Sequence, residues 1–304
     1  MSTLLEILVR DILPIFVVIG LGFGFARKTQ PDIRALSRLT FYILSPSLVF
    51  SSLIQSNVEG GEIVQIAVFV VGLVLVMGLL ALGAARLLRF DPRQTAGFIL
   101  AVTFVNAGNY GIGVNRLAFG AAAEARAVIY FVVSSVLVYT VGVLIATGFK
   151  GGWRGTLNQL IRLPHIYALL IVALVRVTGL QIPAPILQGI NFPAQAAIPM
   201  MLLLLGIQLA GTSVGQYRRP ALMGSGLSLL AAPVAAFGLA GLIGLNGAAR
   251  QAAILQASMP AAVINTLIAT EFEAEPKLVT GTVVLSTVLS PITLTIVIAL
   301  LQHP

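Results

Sequence analysis

The chain alternates long apolar stretches with short polar segments throughout its length. A membrane-spanning helix needs about 20 consecutive, largely apolar residues, and ten stretches meet this requirement. They cover residues 8–27, 35–56, 63–86, 95–117, 126–149, 164–181, 186–212, 220–245, 251–271 and 277–301. The pattern therefore predicts an all-α polytopic membrane protein with ten transmembrane helices. The first stretch lacks a small-residue cleavage site, so we expect it to be retained rather than removed as a signal peptide.

Composition supports this class and excludes several others. Apolar residues make up 58% of the chain and charged residues only 9%, whereas a soluble domain has about 25% charged residues. The net charge of +8 is spread over short connecting segments, where basic residues orient helices rather than bind nucleic acid. The chain contains no cysteine, which rules out disulfides and thiolate chemistry.

The distribution of Lys and Arg predicts the orientation. If the N-terminus lies outside, most of the 18 Lys and Arg residues fall in the inner loops. The positive-inside rule then places both termini outside an inner, or cell, membrane.

The two halves of the chain carry matching short motifs in the same order. The matches are Leu13-Pro14 with Leu163-Pro164, Pro46 with Pro199, Arg93-Gln94 with Arg250-Gln251, and Glu124-Ala125-Arg126 with Glu275-Pro276-Lys277. They indicate two repeats, residues 1–150 and residues 151–304, with five helices each. Because five is odd, the second repeat enters the membrane from the opposite side, which predicts an inverted repeat.

Two of the apolar stretches are interrupted at corresponding places, residues 103–114 (TFVNAGNYGIGV) and 255–272 (LQASMPAAVINTLIATEF). Proline removes an amide donor from a helix, and glycine and asparagine tolerate turns. The residues expected at the two breaks are Val105, Asn106, Gly108, Gly111, Gly113 and Pro260. Matched broken helices in two halves point to the binding site of a transporter.

The chemistry available at membrane depth is uncharged. All 10 acidic residues are expected in loops or at span ends, and His165 is expected at the membrane interface. No metal-binding cluster or catalytic set is recognisable, so the sequence predicts no metal, no cofactor and no enzyme activity. Amide groups and exposed helix N-termini suit a carboxylate. The alternative role of these polar residues is to join helices by hydrogen bonds.

The second interrupted stretch resembles the auxin efflux carrier family of PIN-like transporters. Residues 254–272, ILQASMPAAVINTLIATEF, match its I-x-Q-A-x-x-P-x-x-I/V…A-x-E-Y/F pattern. The first interruption resembles the family's P-N-T-x-x-x-G-I-P, with Val105 and Gly113 replacing the prolines. The resemblance implies two inverted five-helix repeats, divided into a scaffold and a transport domain. It also implies crossed broken helices four and nine, as in sodium/proton antiporters and bile-acid symporters, and a homodimer joined through the scaffold.

Carried over by position, Asn106 is the substrate-contacting asparagine and Pro260 the crossover proline. The polar groups at depth and the resemblance together predict a substrate site without a metal. Its expected members are Ser45, Asn106, Ala107, Asn109, Ser134, Met259, Pro260, Ala261, Val263 and Asn265.

The predicted function is secondary transport of small organic anions, such as indole acids or dicarboxylates, by elevator-type alternating access. An inside-negative potential favours anion exit by about 2.3 kcal/mol per charge per 100 mV, so export is expected. One alternative is a sodium- or proton-coupled symporter of organic acids with the same architecture, because Asn and Ser oxygens can bind a hard cation. Another is a ligand sensor or structural membrane subunit, which signalling domains or long tails would support.

Overall fold

The computed structural model describes residues 2–148, 161–212 and 217–302. These residues form helices, connected by short loops, and one isolated β-bridge. The helices are α1 (residues 2–29), α2 (Ile33–Ile54), α3 (Gly60–Leu87), α4 (Pro92–Thr103), α5 (Ala107–Ala146), α6 (Pro164–Thr178), α7 (Ala184–Ala210), α8 (Arg218–Ile243), α9 (Gly247–Ala257), α10 (Val263–Glu271) and α11 (Pro276–Gln302).

Six of these helices, α2, α3, α5, α7, α8 and α11, are long and apolar enough to cross a membrane. The predicted all-α polytopic class agrees with this architecture. The proposed division at residues 150 and 151 lies outside the described residues, and the inverted-repeat relation stays a prediction.

The connection expected between residues 117 and 126 differs from the sequence prediction. Helix α5 runs through this segment and changes direction only at Gly120, whose φ of 78° and ψ of −166° are not helical. Such a conformation is essentially restricted to glycine. One glycine therefore replaces the expected loop, and helical residues flank it on both sides.

Polar residues in the loops fix where helices begin and end. Asp91 accepts a hydrogen bond from the Gln94 backbone amide (2.9 Å), and Gln94 Oε1 accepts one from the Asp91 amide (3.3 Å). This capping box starts α4. At the C-terminal end of α2, the Arg176 guanidinium donates to the carbonyls of Leu53 (2.6 Å) and Val58 (2.7 Å). A cation here complements the negative end of the helix dipole.

The helices pack as two bundles. We call α1, α2, α6 and α7 the small bundle, and α3 to α5 with α8 to α11 the large bundle. In the small bundle α1 and α7 meet at two glycines. A Cβ on Gly206 would lie 1.9 Å from the Ile19 carbonyl oxygen, and a Cβ on Gly22 would lie 2.2 Å from that of Leu203. Small residues of this kind let two helix backbones touch.

Candidate functional site

The two interrupted helices cross each other in the large bundle. Between α4 and α5, and between α9 and α10, the chain leaves the helical path and pairs across the gap. The Asn106 amide donates to the Pro260 carbonyl (2.8 Å), and the Ala262 amide donates to the Phe104 carbonyl (3.0 Å). Each interruption thereby satisfies backbone groups of the other, as non-helical backbone at membrane depth requires.

Buried side chains reinforce this crossing. Asn265 Nδ2 donates to the Phe104 carbonyl (2.7 Å), and Ser286 Oγ accepts from the Ala261 amide (3.1 Å). Gln256 Nε2 donates to the carbonyls of Ala107 and Ala127, at 3.1 Å each. Asn265, Ser286 and Gln256 are fully buried. Polar residues of α9 to α11 therefore hold the start of α5 in place.

The glycines predicted at the first break do not lie in it. Gly108, Gly111 and Gly113 belong to the first turns of α5, and the non-helical residues are 104–106. The glycines are needed for close contact instead. A Cβ on Gly111 would lie 2.0 Å from Gln256 Oε1, one on Gly108 would lie 2.7 Å from the Phe131 ring, and one on Gly113 would lie 3.1 Å from Ile198.

A cavity of about 670 Å³ lies between the two bundles, next to the crossing. We call it the crossover cavity. The start of α2, the end of α7 and His165 of α6 line it from the small bundle, and residues 104–109, α5 and α10 line it from the large bundle. Arg34 and Arg38 lie at its exposed end.

Six predicted site residues line this cavity: Ser45, Asn106, Ala107, Asn109, Ser134 and Val263. The other four predicted site residues do not line it: Met259, Pro260, Ala261 and Asn265. These residues are buried behind the crossing, because the second interruption packs against Ser286 of α11 and its polar groups bond to the first interruption. Of the two break positions Val105 and Pro260, only Val105 lines the cavity.

Asn106 is the best-placed polar group for a ligand. It is 5% exposed, and its Nδ2 has no hydrogen-bond partner among the described residues. A buried donor without a partner is unfavourable, so a ligand oxygen would stabilise it. The described lining contains two arginines and no carboxylate, which favours an anion over a cation.

His165 is a residue whose contacts the sequence did not predict. It is 1% exposed and lies in the cavity wall, and its expected position at the membrane interface stays a prediction. Its Nδ1 lies 3.2 Å from Ser45 Oγ, and its ring contacts Phe41 and Phe131, with centroid distances of 4.9 and 5.0 Å. Its partner Ser45 lies 120 residues away in the chain, and no local pattern predicts such a pair.

The opposite end of the bundle interface holds a second cavity of about 750 Å³, which we call the Glu124 cavity. Its charged groups are paired. Glu124 Oε2 accepts from Arg116 (2.8 Å) and Oε1 from Ser52 (2.8 Å), while Arg126 donates to Glu62 Oε1 (2.6 Å) and Oε2 (2.8 Å). These hydrogen bonds use the charged groups that would otherwise attract a ligand.

Two carboxylates that were expected in loops or at span ends lie within helices and are buried. Asp11 in α1 is 1% exposed, and Glu124 in α5 is 8% exposed. Asp11 Oδ1 accepts from Arg10 Nε (3.1 Å). Among the described residues, no three His, Asp or Glu side chains come together as a group that could hold a metal ion.

Comparison with known proteins adds an independent line of support. A family model described as "Membrane transport protein" matches residues 7–152 and 154–298. An "uncharacterized transporter" of Methanothermobacter thermautotrophicus is 27% identical over 296 residues, covering 97% of this chain and 94% of that protein. A second "uncharacterized transporter", from Methanocaldococcus jannaschii, is 24% identical over 276 residues, covering 88% and 89%.

Proposed function

Since the chain belongs to the membrane transport protein family that includes the PIN-like auxin efflux carriers, we propose that it carries small organic anions by elevator-type alternating access. It is an integral, multi-pass membrane protein and a transporter rather than an enzyme. The proposal concerns the substrate and the mechanism. Its candidates are monocarboxylic indole acids and small dicarboxylates.

The crossover cavity carries the proposal. At the crossing, the side-chain Nδ2 of Asn106 has no hydrogen-bond partner among the described residues. Arg34 and Arg38 supply positive charge at the exposed end, and the described lining contains no carboxylate. A carboxylate is therefore attracted into the cavity and has a donor to bind there. A cationic ligand would find no opposite charge among these residues.

The two-bundle packing supports the elevator mechanism. The crossing and Asn106 belong to the large bundle, which would carry the anion past the small bundle. At the Glu124 cavity the bond from Ser52 to Glu124 (2.8 Å) joins the bundles, and it would have to break during this movement. The small bundle would also supply the homodimer contact. With both termini outside, the crossover cavity opens to the cytoplasm, as export of an anion requires.

Flux measurements in proteoliposomes test the function. We expect the wild-type chain to transport radiolabelled indole-3-acetate or malonate, and Asn106→Ala to lose most of that flux because the donor is absent. Asn246→Ala is the control, since this exposed amide bonds only to the Gly244 carbonyl (2.9 Å) among the described residues. Equal flux for wild type and Asn106→Ala with both acids would contradict the proposal.

Buried oxygens near the crossing favour a second candidate, sodium-coupled symport. Asn115 Oδ1, Gln256 Oε1 and Asn265 Oδ1 have no hydrogen-bond partner among the described residues. Hard cations prefer oxygen ligands. Replacing Na⁺ by choline would lower both flux and melting temperature if this version holds, and would leave both unchanged if it does not.

A further inference from the structure

The small bundle contributes its own polar group to the crossover cavity. His165 is the second residue of α6, after Pro164, and burial of its ring between Phe41 and Phe131 leaves it few orientations. The described cavity lining offers no carboxylate to pair with this imidazole, and the other titratable or charged groups of the lining are Arg34, Arg38, Tyr42 and Tyr139. The imidazole is therefore a polar group without an evident structural partner apart from Ser45.

The bond to Ser45 engages Nδ1 of the ring, so that Nε2 is the nitrogen left for a ligand. A serine hydroxyl has one hydrogen to donate. Ser47, two residues further along α2, donates its hydrogen to the Ile43 carbonyl (2.7 Å). The Ser45 hydroxyl has only His165 Nδ1 as a partner among the described residues (3.2 Å). In the tautomer in which Ser45 donates to Nδ1, a neutral imidazole carries its hydrogen on Nε2.

The histidine lies close to the crossing although it belongs to the other bundle. The Phe131 ring contacts His165, and a Cβ on Gly108 would lie 2.7 Å from this same ring. Gly108 is two residues from Asn106. Asn106 and His165 therefore line one cavity from different bundles.

We propose that His165 is a second ligand-binding residue of the crossover cavity, donating from Nε2 to an oxygen of the bound acid, and that Ser45 positions its ring. The inference rests on the proposed transport of organic anions. It adds that the bound acid is held between the bundles, by Asn106 on the large bundle and by His165 on the small one.

Equilibrium binding to the purified full chain tests this assignment, with malonate and indole-3-acetate as probes in isothermal titration. His165→Phe keeps an aromatic ring between Phe41 and Phe131 but removes the donor. A lost hydrogen bond to a charged group weakens binding by about tenfold or more, so we expect that rise in Kd. His165→Gln, which keeps an N–H, should show a smaller rise.

Ser45→Ala should raise Kd a few-fold in the wild-type background. Added to His165→Phe, it should cause no further rise in Kd. Such non-additivity follows if Ser45 acts through the histidine, whereas a purely structural serine would weaken both backgrounds equally. Ser47→Ala and Tyr167→Phe are the matched controls on α2 and α6. Their hydroxyls bond to the carbonyls of Ile43 (2.7 Å) and Ile161 (2.6 Å), and neither residue lines the cavity.

A Kd for His165→Phe within twofold of the wild-type value, together with lost binding in Asn106→Ala, would overturn the assignment and leave the proposed function standing. If the wild type binds neither acid, the proposed function fails and the assignment fails with it. If His165→Phe does not fold, as judged by its melting temperature, His165→Gln and Ser45→Ala decide by the same criterion.

Discussion

The two interruptions of the crossing use the same residue type in opposite ways. Asn106, at the first interruption, lines the crossover cavity, and its side-chain Nδ2 has no partner among the described residues. Asn265, just after the second interruption, is fully buried and donates to the Phe104 carbonyl (2.7 Å). The first interruption is thus available to a ligand, and the second supports it. The same residue type beside two helix breaks need not have the same role.

Proline explains part of this difference. Pro260 has no amide hydrogen, so the second interruption cannot donate from that position, and its carbonyl accepts from Asn106 instead (2.8 Å). The first interruption has no proline, and hydrogen bonds from Ala262 and Asn265 to the Phe104 carbonyl keep it non-helical. We expect disruption of the supporting side to lower stability, and disruption of the open side to lower binding.

Gly111→Ala should have the largest effect on stability. The added Cβ would lie 2.0 Å from Gln256 Oε1, and moving Gln256 would break its bonds to Ala107 and Ala127. Overpacking and the lost bonds together should cost about 2–4 kcal/mol, measured as a lower melting temperature in detergent. In Gly24→Ala, the control, the new Cβ has no heavy atom within 4 Å. Equal melting temperatures for the two variants would contradict the close contact between Gly111 and Gln256.

Asn265→Ala and Asn106→Ala form a matched pair. Asn265→Ala leaves a buried carbonyl with one bond fewer and should destabilise the protein by about 1–2 kcal/mol, while the folded fraction still binds acid. Asn106→Ala removes an unpaired donor and should leave the melting temperature nearly unchanged, with binding lost. Melting curves and titrations of both variants check this. A binding loss of the same size in both would show that the two asparagines share one role.

Pro260→Ala and Val105→Pro should show the smallest effects. Pro260→Ala adds an amide donor and allows α9 to continue, so flux should fall several-fold. Val105→Pro should be milder, because the Val105 amide donates no hydrogen bond among the described residues and Phe104 has φ −105° and ψ 110°, which suit a residue before proline. Flux is compared at equal membrane expression. Wild-type flux in both variants would remove the crossing from the transport path.

The sequence predicted the helical class, the transporter family and the approximate location of both interruptions, because apolar length and the Pro260 and Asn106 motifs are local signals. It did not predict the roles of Gly108, Gly111 and Gly113. The sequence identifies these residues as glycines, but only the fold shows that Gln256 and Phe131 pack against two of them. The sequence also predicted a loop after residue 117, whereas α5 continues and changes direction at Gly120.

Which side of an interruption faces the cavity was also beyond the sequence. Met259, Ala261 and Asn265 have the same local setting as the residues around Asn106, and their burial follows from α11 packing behind them. His165 and Ser45 belong to different helices of the small bundle. Their contact depends on how α2 and α6 pack, which hydropathy does not encode.

Ligand protection of one introduced thiol tests the central claim most directly. The chain has no cysteine, so Ser134→Cys places a single thiol in the lining of the crossover cavity, and Ser56→Cys places one in the Glu124 cavity. Saturating malonate or indole-3-acetate should slow maleimide labelling of Ser134→Cys several-fold, leave Ser56→Cys unchanged, and give no protection when Asn106→Ala is added. Unchanged labelling of Ser134→Cys by an acid that the protein demonstrably binds would contradict the claim that the anion occupies this cavity.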